Sequence, residues 1–176
     1  MSLDSGKTSP GVVLRALEPE DLDFLYEIEN DRSGWCVGNA NVPYSRYVLH
    51  DYVANATNDI YADGQVRMVV ENGRGETVGM VDIVNFSPRH LRAEVSVIIH
   101  KRHRNKGYAS SAIRQIIPYA SSILHLHQLY AVISLSNSPS IRLFEKNGFV
   151  EACRLPEWLY DGRNFSDAAL MQLRLI

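Results

Sequence analysis

Hydrophobic and polar residues alternate first over residues 12–17, and this two-residue period predicts a strand. Apolar residues then recur at helical spacing over 19–30, and a second helix is predicted at 44–56. The two-residue period returns at 66–70 and 77–86, on either side of a glycine-rich turn. The first half of the chain is therefore predicted to form a strand, two helices and a hairpin.

The second half opens on a predicted strand at 92–99, whose far end is almost entirely apolar. Such a run is typical of a strand buried on both faces. A helix is predicted at 108–124, kinked or divided at Pro118. The remaining predicted elements are a strand at 129–134, a helix at 138–147 with Ser138 as its N-cap, and strands at 149–155 and 167–175.

Length and composition favour one domain over residues 11–176, preceded by a polar, disordered tail at 1–10. With 18 Lys and Arg against 20 Asp and Glu, the net charge of −2 provides no field for nucleic acid. No apolar run approaches the ~18 residues of a membrane span. Cys36 and Cys153 lie far apart, which favours the reducing cytoplasm, and His125 and His127 lack a third metal ligand.

A basic turn with a glycine links the buried strand to the long helix. Free N–H groups at a helix N-terminus bind phosphate, and Arg102, Arg104 and Lys106 add positive charge around Gly107. A solvated charged loop is the alternative interpretation of this turn. A nucleotide-binding P-loop would need a GK[ST] sequence, whereas Lys106 precedes Gly107.

The run Arg-Asn-Lys-Gly-Tyr-Ala at 104–109 resembles the R/Q-x-x-G-x-G/A signature of the GNAT superfamily of N-acetyltransferases. Residues 137–149 are similar to its N-x-x-S-x-x-L-(F/Y)-E-K-x-G-F segment, and the resemblance spans 12–175. The branches that it resembles are ribosomal-protein alanine acetyltransferases and spermidine acetyltransferases. It implies the α/β GNAT acyl-CoA acyltransferase fold, a mixed, mostly antiparallel, splayed seven-stranded sheet with helices on both faces.

The resemblance also implies direct transfer of an acetyl group from acetyl-CoA, the co-substrate, to a primary amine in a ternary complex, without a metal. The pantetheine would be bound by the strand residues Val97, Ile98 and Ile99. The diphosphate would be bound by the turn residues Arg104, Asn105, Lys106, Gly107, Tyr108, Ala109 and Ser110. Further along, Asn137 would contact the pantetheine arm and Lys146 the adenosine end.

Two proton transfers accompany this reaction, because an alkyl ammonium with a pKa of about 10.4 must lose a proton and the leaving thiolate gains one. Glu94 matches the glutamate of a similar R-A-E segment in both branches and is the candidate base; a strand carboxylate paired with Arg92 or Arg89 is the alternative. Many relatives carry a tyrosine where this chain has Phe144, which cannot donate a proton. Ser140 matches the donor serine of the alanine branch, although it also suits a helix start.

The acceptor is left open between a small amine and a protein N-terminus, with Ser140 favouring the latter. A polyamine such as spermidine is an alternative, although Asn41-Val42-Pro43 lacks the acidic pair of that branch. Trp35 and Glu29 are candidate substrate contacts. A non-catalytic acyl-CoA sensor remains a second hypothesis, and a homo-oligomer is possible. His100 and His103, beside the turn, are expected at the surface.

Overall fold

The structure is a computed structural model that describes residues 10–31 and 42–175. Two short 3-10 turns, Pro19–Asp21 and Lys101–His103, accompany the longer elements. In chain order these are β1 (Val12–Ala16), α1 (Leu22–Glu29), α2 (Arg46–Asn55), α3 (Ile60–Asp63), β2 (Val66–Asn72), β3 (Thr77–Ser87), β4 (Arg92–Ile99), α4 (Tyr108–Ser122), β5 (Gln128–Ser134), α5 (Ser138–Lys146), β6 (Val150–Tyr160) and β7 (Phe165–Arg174).

Within the described residues, the strands form one seven-stranded sheet in the order β1-β2-β3-β4-β5-β7-β6. Neighbouring strands are antiparallel except for β4 and β5, which run parallel. The parallel pair follows from its connection, because a helical crossover through α4 returns the chain to the same end of the sheet. The expected mixed, mostly antiparallel sheet is confirmed.

The sheet opens between β4 and β5. Their pairing consists of Arg92 with Gln128, Ala93 with Leu129 and Glu94 with Tyr130, and it ends there. Beyond Glu94, β4 continues to pair with β3 alone. The side chains of Val97 and Ile98 are only half-buried, so the expectation of a strand end buried on both faces is wrong. The reason is that β5 has already diverged from β4.

Helices cover both faces of the sheet, as expected. On one face, Ile113 and Ile116 of α4 and Phe144 of α5 join the main hydrophobic core with strand residues such as Val95. On the other face, Leu25 of α1 and Leu49 of α2 pack around Met80, with Ile98 at the border of this smaller cluster. The splayed end of β4 therefore lies between the two helical layers.

Some local details differ from the sequence-based expectations. Helix α4 continues through Pro118 without dividing. The N-cap of α5 is Asn137 rather than Ser138, since the Asn137 side chain accepts the N–H of Ser140 at 3.2 Å. The sequence did not indicate α3, a single helical turn between Asp59, which caps it, and Gly64 at φ +67°.

Of the expected tail, residues 1–9 lie outside the described residues, and Pro10 accepts a hydrogen bond from Ser111 Oγ at 2.7 Å. None of the helices in 10–31 and 42–175 has the length and apolar character that a bilayer crossing requires. The same residues contain no group of three or more His, Cys, Asp or Glu side chains placed to hold a metal ion.

Gly79 allows β3 to approach β4 closely at the splayed end. A Cβ at this position would lie 2.3 Å from the Ile98 carbonyl oxygen and 2.6 Å from Ile99 Cδ1. Because a backbone atom is among these neighbours, we expect Gly79→Ala to destabilise the fold by about 2 kcal/mol, as overpacked cores do. Thermal unfolding should detect it, with Gly73→Ala as the control, since a Cβ at Gly73 meets nothing within 4 Å. Equal unfolding temperatures for the two variants would contradict this prediction.

Candidate active site

The N-terminus of α4 presents main-chain N–H groups to solvent. Gly107 is its N-cap at φ +88°, and no side chain caps the helix. The N–H groups of 107–110 donate no hydrogen bond to any described residue, whereas the N–H of Ser111 begins the helical ladder by bonding to Gly107. Free N–H groups and the positive end of the helix dipole fit a diphosphate. The geometry therefore supports the anion site that the sequence predicts.

Exposed cations surround this turn. Arg102, Arg104 and Lys106 are all exposed, and Asn105 adopts φ +61°, which bends the backbone sharply before Gly107. Arg104 Nε donates to the Ile99 carbonyl at 3.0 Å, so part of this side chain already anchors the turn to β4. The positive field at the turn is local, since the whole chain carries a net charge of −2.

The two ends of α5 carry the other predicted cofactor residues. Ser110 is buried, and its hydroxyl lies 3.2 Å from the Asn147 side chain at the C-terminal end of α5, next to the exposed Lys146. At the other end, Asn137 uses Oδ1 to cap α5, which leaves its amide Nδ2 without a partner among the described residues. The structure therefore joins the first turn of α4 to the C-terminal end of α5, and the contact of Asn137 with the cofactor stays a prediction.

Glu94 lies at the point where β4 and β5 separate. Its side chain is half-buried, and Oε2 accepts a hydrogen bond from Asn85 Nδ2 at 2.8 Å. Asn85 reaches it from an irregularity in β3, where the residue adopts φ +51°. Among the described residues, neither Arg89 nor Arg92 forms an ion pair with Glu94. The carboxylate is thus oriented by an amide and not by an ion pair with these arginines.

Tyr130 faces Glu94 across the parallel pair of strands. Burial raises the pKa of Tyr130, and the negative charge of Glu94 raises it further. The phenol therefore stays protonated at neutral pH and does not compete with Glu94 as a base.

Two positions in α5, Ser140 in its first turn and Phe144 in its last, bear on the proton donor. Phe144 is buried and packs edge-on against Phe149, with 4.9 Å between ring centroids, so this position holds a core residue. Ser140 is half-buried in the first turn of α5, and its hydroxyl has no hydrogen-bond partner in the part of the chain that the structure describes. Its role as donor stays a prediction.

The two predicted substrate contacts have different outcomes. Trp35 lies outside the described residues. Glu29 ends α1 and forms an ion pair with Arg67, with Oε1 2.6 Å from Nη1, while Asp82 binds the same guanidinium through both of its oxygens. Burial would lower the pKa of Arg67, but Asp82 and Glu29 raise it overall. The charge of Glu29 is thus partly compensated, and its contact with an acceptor stays a prediction.

Sequence reasoning missed Asn85 and misplaced His100. Asn85 reaches Glu94 through a strand irregularity that carries no pattern in the sequence. The expectation that His100 lies at the surface is wrong, because residues of α1 cover it. A positive φ is several-fold commoner for asparagine than for most residues. An asparagine within the strand pattern at position 85 is therefore a weak sequence indication of the irregularity in β3.

Comparisons with known proteins agree with this geometry. Residues 12–150 match the family described as Acetyltransferase (GNAT) domain. A spermidine N(1)-acetyltransferase of Vibrio cholerae is 30% identical over 165 residues, 92% of each chain.

Solved structures of the Vibrio cholerae spermidine N-acetyltransferase have a similar fold. One, in complex with CoA and spermine, is 29% identical with a TM-score of 0.81, and the match covers 93% of this chain and 95% of that one. Another, described as dodecameric, is 30% identical with a TM-score of 0.78 and coverages of 93% and 94%. The chain therefore belongs to the GNAT family and is an acetyl-CoA-dependent N-acetyltransferase.

Proposed function

We propose that this enzyme acetylates a primary amine of a polyamine such as spermidine, with Glu94 as the base. The observation that carries the proposal is the order of features along β4: its pairing with β5 ends at Glu94, Val97 and Ile98 beyond it are only half-buried, and the strand leads into the turn whose N–H groups at 107–110 have no partner among the described residues. The choice of amine is supported by the name of the Vibrio cholerae relative, a spermidine N(1)-acetyltransferase, and by the spermine in the structure of the complex.

Acetyl-CoA supplies a thioester that an unprotonated amine can attack. In our proposal the N–H groups of 107–110 hold its diphosphate, with positive charge from Arg102 and Lys106. The half-exposed Val97 and Ile98 lie on β4 between this turn and Glu94. Because the N–H of His100 donates to Val78 of β3, the alternation of the antiparallel ladder turns the main-chain groups of Val97 away from β3, and these would bind the pantetheine. Much of the rate then comes from holding the two reactants together.

Glu94 accepts the proton that the ammonium must lose, directly or through one water molecule. The hydrogen bond from Asn85 holds the carboxylate at the mouth of the splay. We propose Ser140 as the donor to the leaving sulfur, since its hydroxyl has no other partner among the described residues and Phe144 cannot serve.

A screen of acceptors tests the proposal. Release of CoA thiol would be followed with spermidine, spermine, single amino acids and a peptide with a free N-terminus. We expect kcat/KM for spermidine to exceed that for the peptide by at least ~100-fold, about 2.7 kcal/mol of transition-state binding. Preference for the peptide would favour the N-terminal acetyltransferase hypothesis. Turnover of none of them, with intact CoA binding, would favour the acyl-CoA sensor.

For the assembly, we propose that copies of the chain associate through β6 and β7. Strand β6 is an edge strand of the sheet. Large apolar side chains are exposed on this hairpin, with exposed fractions of 57–64%, and a similar protein is described as dodecameric. Long apolar edges are normally covered. These exposed residues are Val150, Trp158, Tyr160 and Phe165.

Trp158→Glu tests this interface, because a carboxylate buried between two copies would lack a partner. We expect sedimentation velocity to show a shift of the variant from oligomer to monomer at micromolar concentration. Tyr47→Glu is the control, as Tyr47 is also a large exposed aromatic residue, 79% exposed against 60% for Trp158, but lies on α2. A monomeric parent protein, or an unchanged oligomer in Trp158→Glu, would contradict the proposal.

A further inference from the structure

His100 is a buried imidazole at the junction between β4 and the diphosphate turn. Its side chain is only 10% exposed. The main chain of His100 is fixed on both sides, because its N–H donates to the Val78 carbonyl at 2.9 Å and its carbonyl accepts from the N–H of His103 at 2.8 Å. The residue is therefore held in one place relative to the sheet.

Both ring nitrogens of His100 have partners. Nδ1 accepts the N–H of Arg102 at 3.4 Å and so caps the Lys101–His103 turn. Nε2 lies 3.3 Å from Glu27 Oε2 on α1. Since Nδ1 is an acceptor, the proton of the neutral ring lies on Nε2, the nitrogen that is near Glu27. The imidazole thus links α1 to the backbone that leads into the turn.

Ring contacts continue this link to α4. The His100 ring lies 5.8 Å from Phe24 of α1 and 6.3 Å from His103, and His103 lies 6.3 Å from Tyr108. Tyr108 is the first residue of α4, so it belongs to the segment with free N–H groups. A continuous set of packed rings therefore joins α1 to the N-terminus of α4.

We propose that His100 is a positioning residue for cofactor binding, which holds the Lys101–His103 turn and the first residue of α4 so that the N–H groups of 107–110 face the diphosphate. The proposal rests on the diphosphate site proposed above. His100 itself contacts no reacting atom. Its loss should therefore weaken binding of the diphosphate and leave the chemical step at Glu94 intact.

The test compares two acetyl donors in His100→Ala. Acetyl-CoA carries the diphosphate, and S-acetylpantetheine does not. We expect KM for acetyl-CoA and the calorimetric Kd for CoA to rise about 10-fold, with kcat and KM for the amine within twofold of the parent. We expect kcat/KM with S-acetylpantetheine to stay within twofold, because that donor does not use the turn.

Two further variants separate positioning from general stability. His100→Asn restores an acceptor suited to an N-cap, so it should recover most of the CoA affinity, and it serves alone if His100→Ala does not fold. His127→Ala removes an exposed histidine elsewhere in the chain and should leave kcat/KM unchanged with both acetyl donors.

Unchanged CoA affinity in His100→Ala would overturn the proposal. So would an equal loss of kcat/KM with acetyl-CoA and with S-acetylpantetheine. A third contradicting result would be that His100→Asn binds CoA no better than His100→Ala. If Gly107→Val also binds CoA normally, the diphosphate site itself is wrong, and that failure is distinguishable from failure of His100 alone.

Discussion

Glu94→Gln is expected to lower kcat by ~100-fold or more while leaving the Kd for CoA within twofold. General base catalysis contributes typically 10²–10⁴-fold, and the amide of glutamine cannot accept the proton of an ammonium. The substitution preserves the shape of the side chain and an oxygen that can accept the hydrogen bond from Asn85. Tyr130 cannot replace the carboxylate, because burial, which persists in the variant, raises the pKa of its phenol. Steady-state kinetics with spermidine and calorimetry with CoA measure the two effects.

Glu151→Gln provides the matched control for Glu94→Gln. Glu151 also lies on a strand, in β6, but it is exposed and pairs with Arg154 at 2.9 Å. Such a surface pair contributes little, so this variant should keep full activity and stability. Activity of Glu94→Gln within twofold of the parent would show that Glu94 is not the base. If kcat rises with pH in the same way in Glu94→Gln and in the parent, the solvent deprotonates the amine.

Gly107→Val is expected to weaken CoA binding by roughly 100-fold. The backbone there has φ +88°, which a β-branched residue adopts only at a cost, and a Cβ would lie 2.9 Å from Pro10 Cδ. The turn must therefore shift, and the N–H groups of 107–110 lose their common direction. Losing two hydrogen bonds to a charged diphosphate, at ~1.5–3 kcal/mol each, is enough for a loss of this size. Calorimetric titration with CoA checks the prediction.

Gly162→Val separates backbone strain from loss of the cofactor site. Gly162 has φ +95°, and a Cβ there meets nothing within 4 Å. It lies between β6 and β7, far along the chain from the turn. Both variants should lose a similar amount of thermal stability, but only Gly107→Val should lose CoA affinity. Tight CoA binding by Gly107→Val would mean that the cofactor lies elsewhere.

Local patterns were enough to predict the strand, turn and helix that form the proposed cofactor site. The strand period of β4, the glycine at 107 and the helical spacing of α4 all lie within some thirty residues, and the structure has these elements there, although the end of β4 is less buried than its apolar run indicated. Agreement between neighbouring signals is what specifies a fold. The splay itself was implied by the family resemblance and not by local patterns, and in the structure the pairing of β4 with β5 ends at Glu94.

Contacts between distant parts of the chain could not be predicted in the same way. The burial of His100 depends on Phe24 and Glu27, which come more than seventy residues earlier. The orientation of Glu94 depends on Asn85, whose side chain reaches it only because β3 is irregular there. Helix α3 has four residues, too few for a helical repeat of apolar positions to be recognised in the sequence. Each case is decided by packing rather than by local preference.

The short pairing between β4 and β5 has a consequence for amide hydrogen exchange. Among the described residues, three pairs between β4 and β5 join the two halves of the sheet, from Arg92–Gln128 to Glu94–Tyr130. Backbone amides past that point on the side facing β5 lack a strand partner among the described residues, so their deuterium uptake should be fast in the free enzyme. A pantetheine chain lying in the gap would act as a substitute strand and slow that uptake, which lets mass spectrometry follow cofactor occupancy without any chemical turnover.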